Sequence, residues 1–101
     1  MPKKKQNGVD LIAAERARHK AKGWTAEHDA RHFDGSLGTA GAIYALWAAC
    51  VHHNIPWPFT DGDKRDGLTH ETPHRVKMLA KAGSFIAAEI DRLLRSGDSN
   101  V

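Results

Sequence analysis

The chain has a single cysteine, Cys50, so its own residues cannot build a disulfide framework or a multi-thiolate zinc site. No apolar run approaches the roughly 18 residues of a membrane span. The longest, Ala42 to Val51, stops well short. No apolar segment follows the basic start Met1-Pro2-Lys3-Lys4-Lys5, which therefore reads as a tail rather than a signal peptide. The expected location is the cytoplasm, with no membrane partner. Glycine-rich phosphate loops of recognised spacing and a serine in a nucleophile turn are also missing, and Cys50 lies in an apolar run where burial would make it inert. Neither a strand-like alternation of useful length nor an internal repeat is present.

What is present fits one small domain. With 101 residues, 41% of them apolar and 27% charged, the chain has ordinary globular composition and room for one core. The net charge of +3 is uneven, with +5 on residues 1 to 22 and −2 on the remainder. Any nucleic-acid binding would thus rest on the basic arm, residues 1 to 8, which is expected to be disordered, as is the tail 98 to 101. The domain between them, 9 to 97, is expected to be all-α: three main helices, a short extra turn and a long loop containing Trp and Pro.

Asp10 is a plausible N-cap for a helix over Leu11 to Lys22, which has few large apolar residues and stops at Gly23. Thr25 can cap one or two turns ahead of the Asp34-Gly35 turn. Ser36 is the expected cap of a second long helix reaching about His53, with Ala40, Ile43, Tyr44, Trp47, Cys50 and Val51 at helical spacing. Gly38 and Gly41 near its start suggest close approach of another backbone or a ligand. Ile55-Pro56-Trp57-Pro58-Phe59 opens the long loop. Thr72-Pro73 then begins the last helix, where Val76, Leu79, Gly83, Ile86, Ile90, Leu93 and Leu94 form an apolar stripe expected to face the core. Its Lys77, Lys81, Glu89, Asp91 and Arg92 are expected to be mostly solvated. The small and aliphatic faces of the last two helices could also support a homodimer.

The polar segment Trp24 to His32 concentrates functional groups. His28 and His32 lie four apart on a short helix, the spacing by which two imidazoles reach one metal ion, and His70 and His74 repeat the interval. Solvated or hydrogen-bonded histidines are the commoner outcome, so no metal or cofactor is expected. Arg16, Trp24, His28, Asp29, His32, Tyr44, Trp57, Arg75 and Lys81 together form a recognition-style set. Aromatic faces stack on bases, cations meet phosphates, and His or Asp bonds sugar hydroxyls. The expected partner is a nucleotide-like small molecule bound without catalysis. The alternatives are a metal-dependent nucleotide hydrolase using His28, Asp29 and His32, and a protein or nucleic-acid binder using the basic arm.

Glu15-Arg16, Gly23-Trp24-Thr25, Glu27-His28-Asp29, His32, Gly35, Trp57-Pro58, Lys81-Ala82-Gly83 and Ala88-Glu89-Ile90-Asp91-Arg92 form a pattern that resembles a family of small phage and prophage proteins. That resemblance implies a viral accessory protein. The Arg16 to Trp24 stretch is also similar to the ryanodine-receptor repeat domain, whose prokaryotic versions are associated with ligand sensing. The Glu15-Arg16-Ala17-Arg18 opening looks like phage relatives of the MazG nucleotide pyrophosphohydrolases, although their Glu-Glu-x-x-Glu magnesium set is absent here.

Overall fold

A computed structural model describes residues 5–31, 34–59 and 69–96, and the described residues form four helices and no strand. These are α1 (Gly8–Ala21), α2 (Ala26–Ala30), α3 (Ser36–Ala48) and α4 (Thr72–Ser96). The all-α class with a short extra helix is as expected. Residues 1–4 of the arm, His32, the Gly62 and Gly67 stretch and the tail 97–101 lie outside the described residues.

α1 starts earlier than its composition suggests. Asn7, not Asp10, is the N-cap: its side chain accepts from Asp10 N–H at 2.9 Å, and Asp10 accepts from Asn7 N–H at 3.1 Å. This reciprocal capping box satisfies donors that the first turn would otherwise leave unpaired. Thr25 caps α2, accepting from His28 N–H. Gly35, with φ of 86°, takes the cap position of α3 that Ser36 was expected to hold, while Asp34 Oδ1 accepts from both the N–H and the hydroxyl of Ser36.

α3 ends at Ala48, several residues before the expected His53, because the chain leaves the helix through a left-handed residue. Cys50 adopts φ of 61°, Cys50 N–H bonds Trp47 O at 3.1 Å and Val51 N–H bonds Leu46 O at 2.9 Å. This is the usual glycine-type helix termination, carried out here by a cysteine. The expectation that Cys50 is buried is therefore wrong. The turn swings it off the apolar face, and the residue is exposed.

The core lies between α3 and α4. Leu37, Ala40, Tyr44 and Ala48 pack against Met78, Ala82, Phe85 and Ala88, with Trp24, Trp47, Trp57 and Phe59 against their edges. Each large side chain taken fully out of water here contributes about 1.5–3 kcal/mol. Gly41 allows the two helices to close: a Cβ there would lie 2.9 Å from Ile86 Cγ1 and 3.0 Å from the Ala82 carbonyl oxygen.

The face of α4 that meets this core is not the expected one. Val76, Leu79, Ile86, Ile90, Leu93 and Leu94 are all exposed, by 39–52%, whereas Lys81 and Ser84 are buried at 6% and 0%. Two apolar patterns overlap on α4, and the smaller one, built from Met78, Ala82, Phe85 and Ala88, faces inward. It wins because α3 offers small residues that admit Phe85. α1 then occupies a second side of α4, with Ile12 lying directly over Gly83.

Candidate functional site

Little apolar surface is available to anchor α1, so polar groups fasten it to α4. Glu15 accepts from Arg18 Nη2 at 2.6 and 2.7 Å and pairs with Lys81 Nζ at 3.6 Å. Burial raises the Glu15 carboxyl, but the Arg18 bond and the Lys81 and Arg18 charges outweigh it and hold the group below its ordinary value. Lys81 is pushed down by burial, against the pull of Glu15. Far from being solvated, Lys81 is a buried partner of α1. His19 Nδ1 lies 2.8 Å from Ser84 Oγ, and burial, reinforced by Lys81, pushes the imidazole down to about 4. His19 is therefore neutral near pH 7 and bonded to α4 without carrying a charge.

Next to Glu15 in the chain, Arg16 joins three helices. Its Nη2 lies 3.4 Å from Asp29 Oδ2 on α2 and 3.3 Å from Asp91 Oδ2 on α4. Asp29 is fully buried, and its other oxygen lies 3.3 Å from His28 Nδ1. Burying Asp29 is tolerable because a cation faces it; removing that cation would leave a charge costing several kcal/mol. Arg16 Nε itself is buried without a hydrogen-bond partner. His28 also meets Trp24, ring centroids 4.5 Å apart.

The aromatic members of the expected set converge on Phe85. Trp24 lies 5.2 Å from it, Tyr44 5.7 Å and Trp57 6.1 Å, with Phe59 between the two tryptophans. Arg16, Trp24, His28, Asp29, Tyr44 and Trp57 therefore belong to one continuous contact network. Much of it is closed: Asp29 and Tyr44 have essentially no exposed surface. Lys81 reaches this network through Glu15 and His19, and Arg75 lies at the other end of α3, where its Nε donates to Ala48 O at 2.9 Å. Among the described residues, no group of three or more His, Cys, Asp or Glu is arranged to hold a metal ion. The second histidine pair does not act as a unit, since His74 Nδ1 accepts from Thr69 N–H while His70 Nε2 faces Trp47 O at 3.0 Å.

A cavity of about 580 Å³ opens at the C-terminal end of α3, lined by Trp47, Cys50, His52, His53, Asn54 and His70, with Val51 and Ile55 completing its wall. The early end of α3 makes room for it. Trp47 and His70 form a stacked pair, centroids 4.3 Å apart and planes 19° apart. The helix-end carbonyls are satisfied within the protein: Ala45 O by Ala49 N–H, Leu46 O by Val51 N–H, Trp47 O by Cys50 N–H and His70, and Ala48 O by Arg75. Side-chain edges thus define what the cavity can bond. His70 donates through Nε2, leaving Nδ1 as an acceptor in the neutral ring, and His53 accepts from Ile55 N–H through Nδ1 at 3.1 Å, leaving Nε2–H as a donor. Asn54 supplies both kinds.

This cavity draws on residues outside the sequence-derived set. The apolar periodicity assigns Trp47 to the core and places His52 and His53 at the end of a helix that stops earlier, with Asn54 opening the long loop. The signal available was the cluster His52-His53-Asn54-Ile55-Pro56 itself, polar and followed by proline, just beyond an apolar run. Compared with known protein families, curated proteins and solved structures, the chain matches none.

Proposed function

We propose that this is a non-catalytic accessory protein that binds a nucleotide or nucleotide-derived molecule, taking the base of that ligand in the cavity at the end of α3. The stacked Trp47 and His70 pair, walling a cavity of about 580 Å³, is the observation that carries this reading. Small-molecule sites fall at roughly 300–1,000 Å³ and combine aromatic walls with a few oriented polar groups. His53, Asn54 and His70 supply both donors and acceptors, which suits the edge of a heterocycle. The carboxyl end of a helix carries partial negative charge, so the base rather than the phosphate suits this position. The resemblance to phage proteins supports a viral accessory role, including interference with a nucleotide signal of the host. In this reading Arg16, Asp29, Trp24 and Trp57 hold the scaffold that orients α3.

Calorimetry and thermal-shift measurements on the intact protein with nucleosides and with mono-, di- and cyclic nucleotides test it. Nucleosides should retain most of the binding, and pyrophosphate alone should show none. His70→Ala and Asn54→Ala should each weaken binding about tenfold, the loss of one well-placed hydrogen bond or stacking partner. No heat and no melting shift with any member of the panel would sink the proposal.

A further inference from the structure

The exposed face of α4 has a pattern of its own. Val76, Leu79, Gly83, Ile86, Ile90 and Leu93 follow one another at alternating intervals of three and four, the seam spacing of a helix that pairs with another helix. The aliphatic members are exposed by 42, 49, 46, 52 and 39%, and no charged residue interrupts them. The seam is open because α3 and α1 occupy the other two sides of α4. Leu94 and Val9, 52% and 76% exposed, extend the apolar surface to either side.

We infer that this face is covered by a second copy of the chain, with the two α4 helices antiparallel about a two-fold axis at the level of Ser84 and Phe85. In that register Val76 opposes Leu93 and Leu79 opposes Ile90, with the two copies of Ile86 on either side of the axis, so one patch is complementary to itself, as a two-fold interface requires. Gly83 lies at the α1 edge of the seam and is already covered by Ile12 of its own chain, so Leu79, Ile86 and Ile90 carry the contact. A parallel pair would instead bring Arg75 and Lys77 of the two copies side by side. Antiparallel packing also aligns the helix dipoles favourably.

Two further observations fit the same occupant. A groove of about 330 Å³ runs between α1 and α4, lined by Gly8, Leu11, Ile12, Val76, Leu79 and Ala80. It borders Val76 and Leu79, opposite the Ile90 to Leu94 segment of the second copy, whose leucines can fill it. The half-exposed aliphatic side chains of the seam with Leu94 and Val9 amount to roughly 500 Å², the upper range for a patch left on a monomer. With the adjoining rims this approaches the ~800 Å² per partner of a standard interface.

Light scattering on the size-fractionated full chain should give twice the chain mass at micromolar concentration. Ile90→Glu and Leu79→Glu should give the single-chain mass with an unchanged helical circular-dichroism spectrum. Cross-linking tests the register with substitutions that preserve the fold. In a Cys50→Ser background, the Leu79→Cys, Ile90→Cys double variant should form covalent dimers under mild oxidation, whereas Val76→Cys alone should not. A monomeric wild type overturns the inference and leaves the seam to a different protein. Cross-linking of Val76→Cys without that of the double variant overturns the antiparallel arrangement.

Discussion

At the scale of single residues, the most consequential side chains are polar ones that the fold has buried. His19 is held at about 4 instead of its ordinary 6.5 by burial and by the nearby Lys81. A base whose folded pKa is depressed contributes stability above its unfolded value and loses it as pH falls. The loss should therefore run from about pH 6.5 down to about 4, and solvent screening keeps it on the order of 1–2 kcal/mol. Glu15, held below its ordinary 4.5, acts in the same direction at the acid end of that window. Thermal melts should show a melting temperature several degrees lower at pH 4.5 than at pH 7, and His19→Gln should flatten that dependence. Equal melting temperatures at the two pH values would mean that His19 is not buried neutral. Cys50 gives an independent prediction. A left-handed conformation costs an L-residue about 1–2 kcal/mol, and Cys50 is exposed, so Cys50→Gly should stabilise the fold by about 0.5–1 kcal/mol while Cys50→Ala changes little. Denaturant melts of both variants check this.

At the scale of elements, the helices were legible and their faces were not. The long helices, the Thr25 and Thr72-Pro73 starts and the stop near Gly23 follow from local signals that act within one turn: caps, proline and glycine. Where α3 ends did not follow, because Cys50 and Val51 continue its apolar periodicity and no glycine marks the left-handed turn. The inward face of α4 did not follow either. Ile86, Ile90 and Leu93 are the larger aliphatics, but α3 accepts Met78, Ala82 and Phe85 through its own small residues. Gly41 is the point at which that choice is enforced. In Gly41→Ala, the gain of up to about 1 kcal/mol in helix propensity is outweighed by overpacking of about 1–3 kcal/mol. Ile86 can move aside, but the Ala82 carbonyl, 3.0 Å from the added carbon, belongs to the backbone of α4. A net loss near 1 kcal/mol is expected in chemical denaturation, and a stabilised variant would show that α3 and α4 are not in close contact there.

For the molecule as a whole, composition and local pattern determined the class: one all-α domain with a short extra helix and, among the described residues, no helix long and apolar enough to cross a membrane. They also singled out the Trp24 to His32 segment, whose Trp24, His28 and Asp29 contact one another or Arg16, while His32 lies outside the described residues. These features depend on neighbours in the chain, which sequence periodicity reports directly. Tertiary structure alone decided that Lys81 is buried beside Glu15, that Trp47 and His70 meet at a cavity, and that the aliphatic seam of α4 faces outward. Each of these depends on which of two competing faces another helix can approach. That is settled by the volumes of residues far apart in the chain, Gly41 against Ala82 and Ile12 over Gly83, and no local pattern carries that information.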